Sequence, residues 1–165
     1  MTTAPPRPDP LPWPDWSGPT HQFAPETGPA GTTAALAWLE ALGERLQWPA
    51  RVGFALTLCA DEALANVVLH ARTAQGAPAR IWLTCGPTRD GVALCIEDDG
   101  MAFDPTAQAS PELAATLEDA GIGGHGLRLM RHYLQRLLYR REQGRNRLLM
   151  ELDLASPSQG ADTAG

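Results

Sequence analysis

The stretch LTLCADEALANVVLHA, residues 56–71, constrains this chain more than any other. It reads as a long helix, yet Glu62, Asn66 and His70 recur at a spacing of four, slightly more than one helical turn. The three therefore share one slowly rotating stripe. Leu56, Leu58, Cys59, Ala60, Ala63, Leu64, Val67 and Val68 cover most of the remaining surface, so the helix is expected to be largely buried. Asn is a poor helix former, and a buried amide or carboxylate without partners costs roughly 1–3 kcal/mol. Such a helix needs something polar to set against its stripe, unless that stripe faces solvent. The rest of the chain decides between the two.

A chain of 165 residues suits one domain and is long enough to bury a core. Its net charge of -6 argues against a nucleic-acid binder, which would show a basic face. All 13 basic residues are Arg. Without Lys, neither a P-loop nor a protein kinase of the eukaryotic type can be built, since both place a Lys on nucleotide phosphates. Cys59, Cys85 and Cys95 are odd in number, widely spaced and set in apolar segments. They read as buried free thiols of a reducing compartment, not as disulfides or a zinc site. No stretch has the form of a signal peptide, and no apolar run approaches the ~20 residues of a membrane span. A cytoplasmic protein without a membrane association is the expectation.

Residues 1–31 hold nine of the 15 prolines and lack a periodic apolar pattern, so they are expected to form an extended or flexible arm. Trp13 and Trp16 are large apolar groups for a free tail and are candidates to dock on the domain or on a partner. Residues 21–24 suit a short first strand. Thr32 or Thr33 can cap a helix running to about Gln47, with Leu36, Leu39, Leu42 and Leu46 on its apolar face. Residues 79–85 and 92–97 form two apolar runs joined by GPTRDG, which fits an antiparallel hairpin. Residues 105–120 are a polar, alanine-rich connection. GIGGHG, residues 121–126, then feeds a helix expected from about Leu127 to Arg141, with Leu127, Met130, Leu134, Leu137 and Leu138 buried. Gly144 stops it, residues 146–154 form a last strand, and residues 155–165 a polar tail.

Three separated pieces stand out: the striped helix, a strand ending in Asp98-Asp99-Gly100, and the Gly-rich loop. Alone, each has a plain structural explanation. The G-x-G-x-x-G match follows a loop rather than a strand, so a dinucleotide-binding unit fails its own context. In combination and order they resemble the nucleotide-binding domain shared by gyrase, heat-shock chaperone, mismatch-repair and sensor histidine kinase ATPases. Within that superfamily the resemblance is to bacterial anti-sigma factor serine kinases. The E-x-x-x-N-x-x-x-H-A box is Glu62, Asn66, His70 and Ala71; the D-x-G-x-x-F-D-P box is Asp98, Gly100, Phe103, Asp104 and Pro105. The G-G-x-G-L-x-L-[IM]-R box is Gly123, Gly124, Gly126, Leu127, Leu129, Met130 and Arg131. A distal Y…G-x-N is similar to Tyr139, Gly144 and Asn146, with altered spacing. The resemblance spans about residues 32–154, the domain between arm and tail.

The resemblance implies an α/β (α+β) two-layer sandwich: a mixed, mostly antiparallel sheet with about three helices on one face. It implies ATP and Mg²⁺ as cofactors. Asn66 would be the metal ligand, consistent with the hard oxygen ligands Mg²⁺ prefers. Glu62 would take the proton of an attacking hydroxyl, and Asp98 would accept a hydrogen bond from the adenine amino group. Gly100, Ala102 and Phe103 would lie against the nucleotide, with Gly100 letting backbone approach the base. Gly121, Ile122, Gly123, Gly124, His125, Gly126 and Leu127 would cradle phosphate at a helix N-terminus, helped by Arg128 or Arg131. Residues 105–120 would be a lid. Two departures are visible: Ala102 replaces a second glycine, and Gln135 stands where many relatives carry Asp on the third helix. His70 reads as a structural hydrogen-bonder at the helix end, His125 as a loop residue and His132 as a surface helix residue.

Two functional classes follow. In the first, the chain is an ATP-dependent protein serine/threonine kinase that phosphorylates an anti-sigma antagonist and sequesters a sigma factor by partner switching. In the second, it is a catalytically weak or inactive nucleotide-gated interaction module, a reading motivated by the Pro/Trp arm and Gln135. A sensor histidine kinase is a poorer third, for want of a helix pair carrying a phosphoacceptor His. Relatives of this kind are often dimeric, which makes a homodimer a further expectation.

Overall fold

The computed structural model describes Trp13, residues 15–107 and residues 124–155. In chain order the elements are β1 (His21–Phe23), α1 (Pro29–Arg45), α2 (Ala50–His70), β2 (Ile81–Pro87), β3 (Gly91–Asp98), a 3-10 turn (Pro105–Ala107), α3 (Gly124–Tyr133), β4 (Arg136–Glu142) and β5 (Arg145–Asp153). The strands form one five-stranded sheet in the order β1-β2-β3-β5-β4. Every pairing between these strands is antiparallel, so the expected predominance of antiparallel pairing is complete. Among the described residues the result is the α/β architecture expected from the sequence, a sheet with three helices.

Side chains alternate across the sheet, as the period of two requires. Ile81, Leu83, Cys85, Val92, Leu94, Ile96, Leu148, Met150 and Leu152 form the main core with Leu39 and Leu42 of α1, Val52, Leu56 and Leu64 of α2, and Met130 of α3. Each fully buried side chain of this size contributes about 1.5–3 kcal/mol. On the other face, Ala93, Cys95 and Leu149 form a smaller cluster with Leu138, Trp13 and Trp16 packed against it. Both arm tryptophans thus dock on the domain itself.

α2 is 21 residues and, by length and composition, apolar enough to cross a membrane, which corrects the expectation that nothing in the sequence approaches that length. Here it is the helix the core is built on, with Val52, Ala55, Leu56, Cys59, Ala60, Ala63 and Leu64 buried. Burial is confined to those positions: Leu58, Val67 and Val68 are half-buried and Leu69 is exposed.

Several expected element bounds and roles are corrected. α1 begins at Pro29 with Gly28 as its N-cap, and the Thr33 hydroxyl donates to the Pro29 carbonyl rather than capping. Proline suits a first turn whose N–H groups lack intrahelical partners. The expected boundary at residue 31 therefore falls inside a helix. The helix expected to run to Arg141 ends at Tyr133, and residues 136–142 are β4. Gln143 and Gly144 both have positive φ, 51° and 74°, the geometry of a two-residue hairpin turn. The glycine read as a helix stop is thus a strand-to-strand turn, and pairing with β5 overrides the helical propensity of Leu, Arg and Glu in RLLYRRE. Leu137 and Tyr139 face the main core and Leu138 the opposite face, as a strand dictates. Gln135 consequently lies off the helix, where its Oε1 accepts from the Asp153 N–H at 2.9 Å. α3 itself starts at Gly124, so His125 and Gly126 belong to its first turn rather than to a loop.

Candidate nucleotide-binding site

A cleft of about 260 Å³ opens between the end of α2, the loop after β3, α3 and the inner face of β4 and β5. Its lining is mainly apolar: Ala63, Val67, Ile96, Met101, Phe103, Met130 and Leu148 among others. Asn66, His70, Asp98, Tyr139 and Asn146 are the polar interruptions, with Arg72 at the end of α2.

Asn66 lines the cleft from α2, one turn before His70. Among the described residues, nothing hydrogen-bonds its amide. Glu62, one turn earlier, is half-buried and likewise has no ion pair among the described residues. A Cβ at Gly126 would lie 2.9 Å from Glu62 Oε2, so glycine is what lets the first turn of α3 close on this carboxylate. Glu62 is beside the cleft, not part of the lining, at the α3 end. Leu127 is buried beneath that turn. Gly121, Ile122 and Gly123 lie outside the described residues, as do the side chain of His125 and positions 108–120 of the expected lid.

Asp98 ends β3, is only 6% exposed, and lines the cleft. Its Oδ1 accepts from the Gly100 N–H and from Asn146 Nδ2, both at 2.9 Å. Burial pushes its pKa up, opposed by the hydrogen bonds from Asn146 and Gly100 and by the nearby Arg141 charge. A Cβ at Gly100 would meet Asp98 Oδ1 at 2.8 Å and Ala71 Cβ at 3.0 Å. The missing side chain at Gly100 therefore makes room for Asp98 and the end of α2, a packing reason that the sequence did not suggest. Ala102 and Phe103 line the mouth, with Phe103 45% exposed. Asp104 Oδ1 accepts from Thr106 N and Oγ1 at 2.8 and 2.6 Å, holding the 3-10 turn. Arg131, a candidate phosphate partner, donates instead to the Thr106 carbonyl at 2.9 Å and ties α3 to that turn. Arg128 is exposed. His70 is exposed on the cleft rim and has no hydrogen bond among the described residues, which corrects its reading as a structural hydrogen-bonder. His132 is a surface helix residue, edge-on to Tyr133 at 4.9 Å.

Sequence reasoning missed the group around Asn146. Its buried amide sits between Asp98, Tyr139, Arg141 and the loop after β3. The distal motif flagged Tyr139 and Asn146, but with residues 136–141 read as helix their pairing across β4 and β5 was invisible.

The site residues fit an adenine nucleotide. An apolar slot suits a flat base, and in its lining the amide of Asn66 and one oxygen of Asp98 remain unspent among the described residues, with the carboxylate of Glu62 outside the lining beside Gly126. Side chains that polar are not left without partners on an apolar cleft unless water or a ligand satisfies them. The chain belongs to the histidine kinase-like ATPase domain family, whose pattern matches residues 26–152. It is similar to the Serine/threonine-protein kinase BtrW of Bordetella bronchiseptica, with 55% identity over 118 residues, 72% of this chain and 82% of that protein.

Proposed function

We propose that the chain is an ATP-dependent protein serine/threonine kinase acting on an anti-sigma antagonist, and that it regulates a sigma factor by partner switching in the cytoplasm. The observation that carries the enzymatic part is a cleft lined by Asn66 and Asp98, with Glu62 beside it against Gly126 in the first turn of α3. The similarity to a named serine/threonine kinase supports it, and the anti-sigma context rests on the motif resemblance alone. ATP with Mg²⁺, when bound, would supply the phosphoryl group and neutralise its charge. Asn66 would hold the metal through its amide oxygen, a hard ligand. Asp98 would hold the base, and the N–H groups opening α3 would face the phosphates. Glu62 would hold the proton of the acceptor hydroxyl at its carboxylate, beside those N–H groups.

Labelled ATP, Mg²⁺ and the cognate antagonist should give label on a Ser or Thr, and Glu62→Gln should slow transfer by about 10²–10⁴-fold with nucleotide affinity within a few-fold of wild type. Absence of transfer with intact nucleotide binding would establish the alternative, a nucleotide-gated interaction module. One motive for that alternative has weakened, because Gln135 makes a structural bond to β5.

A further inference from the structure

We propose that Asn146 is the positioning residue that sets purine choice in this cleft: it fixes Asp98 so that only Oδ2 is left to accept a hydrogen bond from a ligand amino group. This rests on the ATP reading above and names the residue that makes it selective.

The side chain of Asn146 is held in one orientation. Its Oδ1 accepts from the Tyr139 hydroxyl at 2.7 Å, from Arg141 Nη1 at 3.1 Å and from the Phe103 N–H at 3.2 Å. Three donors on one side require the carbonyl there and turn the amino group the other way. Nδ2 then donates to Asp98 Oδ1 and to the Met101 carbonyl, both at 2.9 Å. Arg141 Nη1 also donates to the Gly100 carbonyl at 2.7 Å, so the loop after β3 is pinned from β4 and β5 together.

With Asn146 and the Gly100 N–H both on Oδ1, that oxygen is occupied. No described residue donates to Oδ2, and Asp98 lines the cleft. An ionised carboxylate can only accept. Adenine offers an amino group on the edge where guanine carries a carbonyl, so an acceptor here rewards the first and opposes the second. A proton on Oδ2 would reverse that preference. Burial favours this proton, whereas Asn146, Gly100 and Arg141 oppose it. The other titratable or charged groups about Asp98 are Asp99 beside it, Tyr139 on β4 and Asp104 near Tyr139, with His70 and Arg72 on the cleft wall from α2. Arg72 donates to the Ala71 carbonyl at 2.9 Å and caps α2.

The test is metal-free calorimetric binding of ADP and GDP to the full chain, for wild type, Asn146→Asp and Tyr139→Phe, between about pH 6 and 8. Wild type should prefer ADP throughout. Asn146→Asp replaces the donor with a second carboxylate and should lose about 10–100-fold in ADP affinity at the alkaline end. As pH falls, the carboxylate pair shares one proton, which restores an O–H···O bond to Oδ1 and with it ADP affinity. That rescue, confined to ADP and absent from wild type, is a signature that a merely structural role would not produce. Tyr139→Phe frees one lone pair of Asn146 and should cut the ADP/GDP ratio by about threefold to tenfold. If Asn146→Asp keeps the wild-type ratio, or loses both nucleotides equally at every pH, the inference is overturned. Should that variant fail to fold, an unchanged ratio in Tyr139→Phe overturns it. A wild type that binds neither nucleotide overturns the ATP reading and this inference together, whereas selective wild type with equally selective variants overturns the inference alone.

Discussion

Asp98, Asn146 and Arg141 sit in one row across β3, β5 and β4, and Glu97, Arg147 and Arg140 sit in the adjacent row, one residue away on the same three strands. The strand period sends the first row onto the face that carries the cleft, which Asp98 and Asn146 line, and the second onto the face away from the helices. Both rows are polar networks, yet they are closed differently. On the outer face, Arg147 meets Glu97 at 3.1 Å and Glu142 at 2.9 Å, and Arg140 meets Glu142 at 3.4 Å. The guanidinium groups of Arg140 and Arg147 also lie 5.9 and 4.9 Å from the centre of the Trp13 ring. Each charge of that row has an ion-pair partner in the protein, while Arg147 Nε and Trp13 Nε1 are buried without a hydrogen bond among the described residues. On the inner face, a neutral amide orders the row and one carboxylate oxygen is left over. The outer row is closed by ion pairs within the protein, whereas the inner row leaves one carboxylate oxygen of a cleft-lining residue without a donor among the described residues.

The largest effect expected from this contrast is in the inner row. Asp98→Ala should weaken ADP binding by about 100-fold, since it removes the acceptor and leaves buried donors unpaired; calorimetry measures it. Retained affinity would erase the distinction between the rows. Next comes Trp13→Ala, expected to cost about 1–2 kcal/mol in a urea melt through lost half-buried apolar area and cation–π contact, with ADP affinity unchanged. Arg147→Ala should cost at most about 1 kcal/mol, and less in high salt, because its ion pairs are partly exposed. A change in ADP affinity in that variant would show that the two faces are coupled.

The smallest effect is in pH dependence. Burial raises the pKa of Asp98 above 3.8, so only between 3.8 and that higher value does the folded chain hold a proton there that the unfolded chain has lost. Its contribution to stability therefore falls as pH rises from 3.8 through the higher folded value, and is flat above. Asp99 behaves oppositely: partial burial would raise its pKa, but the backbone N–H and guanidinium of Arg80 outweigh that and lower it below 3.8. Its contribution is present above 3.8 and disappears as pH falls through the lower value. Urea midpoints of Asp98→Asn across acid pH should lose the first slope and keep the second.

What could be read from the sequence follows from which interactions are local. Glu62 and Asn66 are set by helical spacing, so their shared stripe was visible. The β2–β3 hairpin was visible because its apolar runs are contiguous. β4 was not, because Leu, Arg and Glu suit a helix and only its partner, β5, makes it a strand. Everything that depends on β4 was hidden with it, including the bonds from Tyr139 and Arg141 to Asn146 and the displaced role of Gln135. Part of the reason for Gly100 was hidden too, since besides Asp98 Oδ1 the atoms its side chain would strike come from Ala71, far away in sequence.

Cys95 lies in the small cluster that Trp13 and Trp16 cover, and burial pushes its thiol up to about 12. Cys59 and Cys85 are as hard to ionise, but they belong to the main core. A thiol reagent is therefore expected to reach Cys95 before the two thiols of the main core if the indoles lift away. The order in which the cysteines are alkylated would then time any lifting of Trp13 and Trp16 from the sheet.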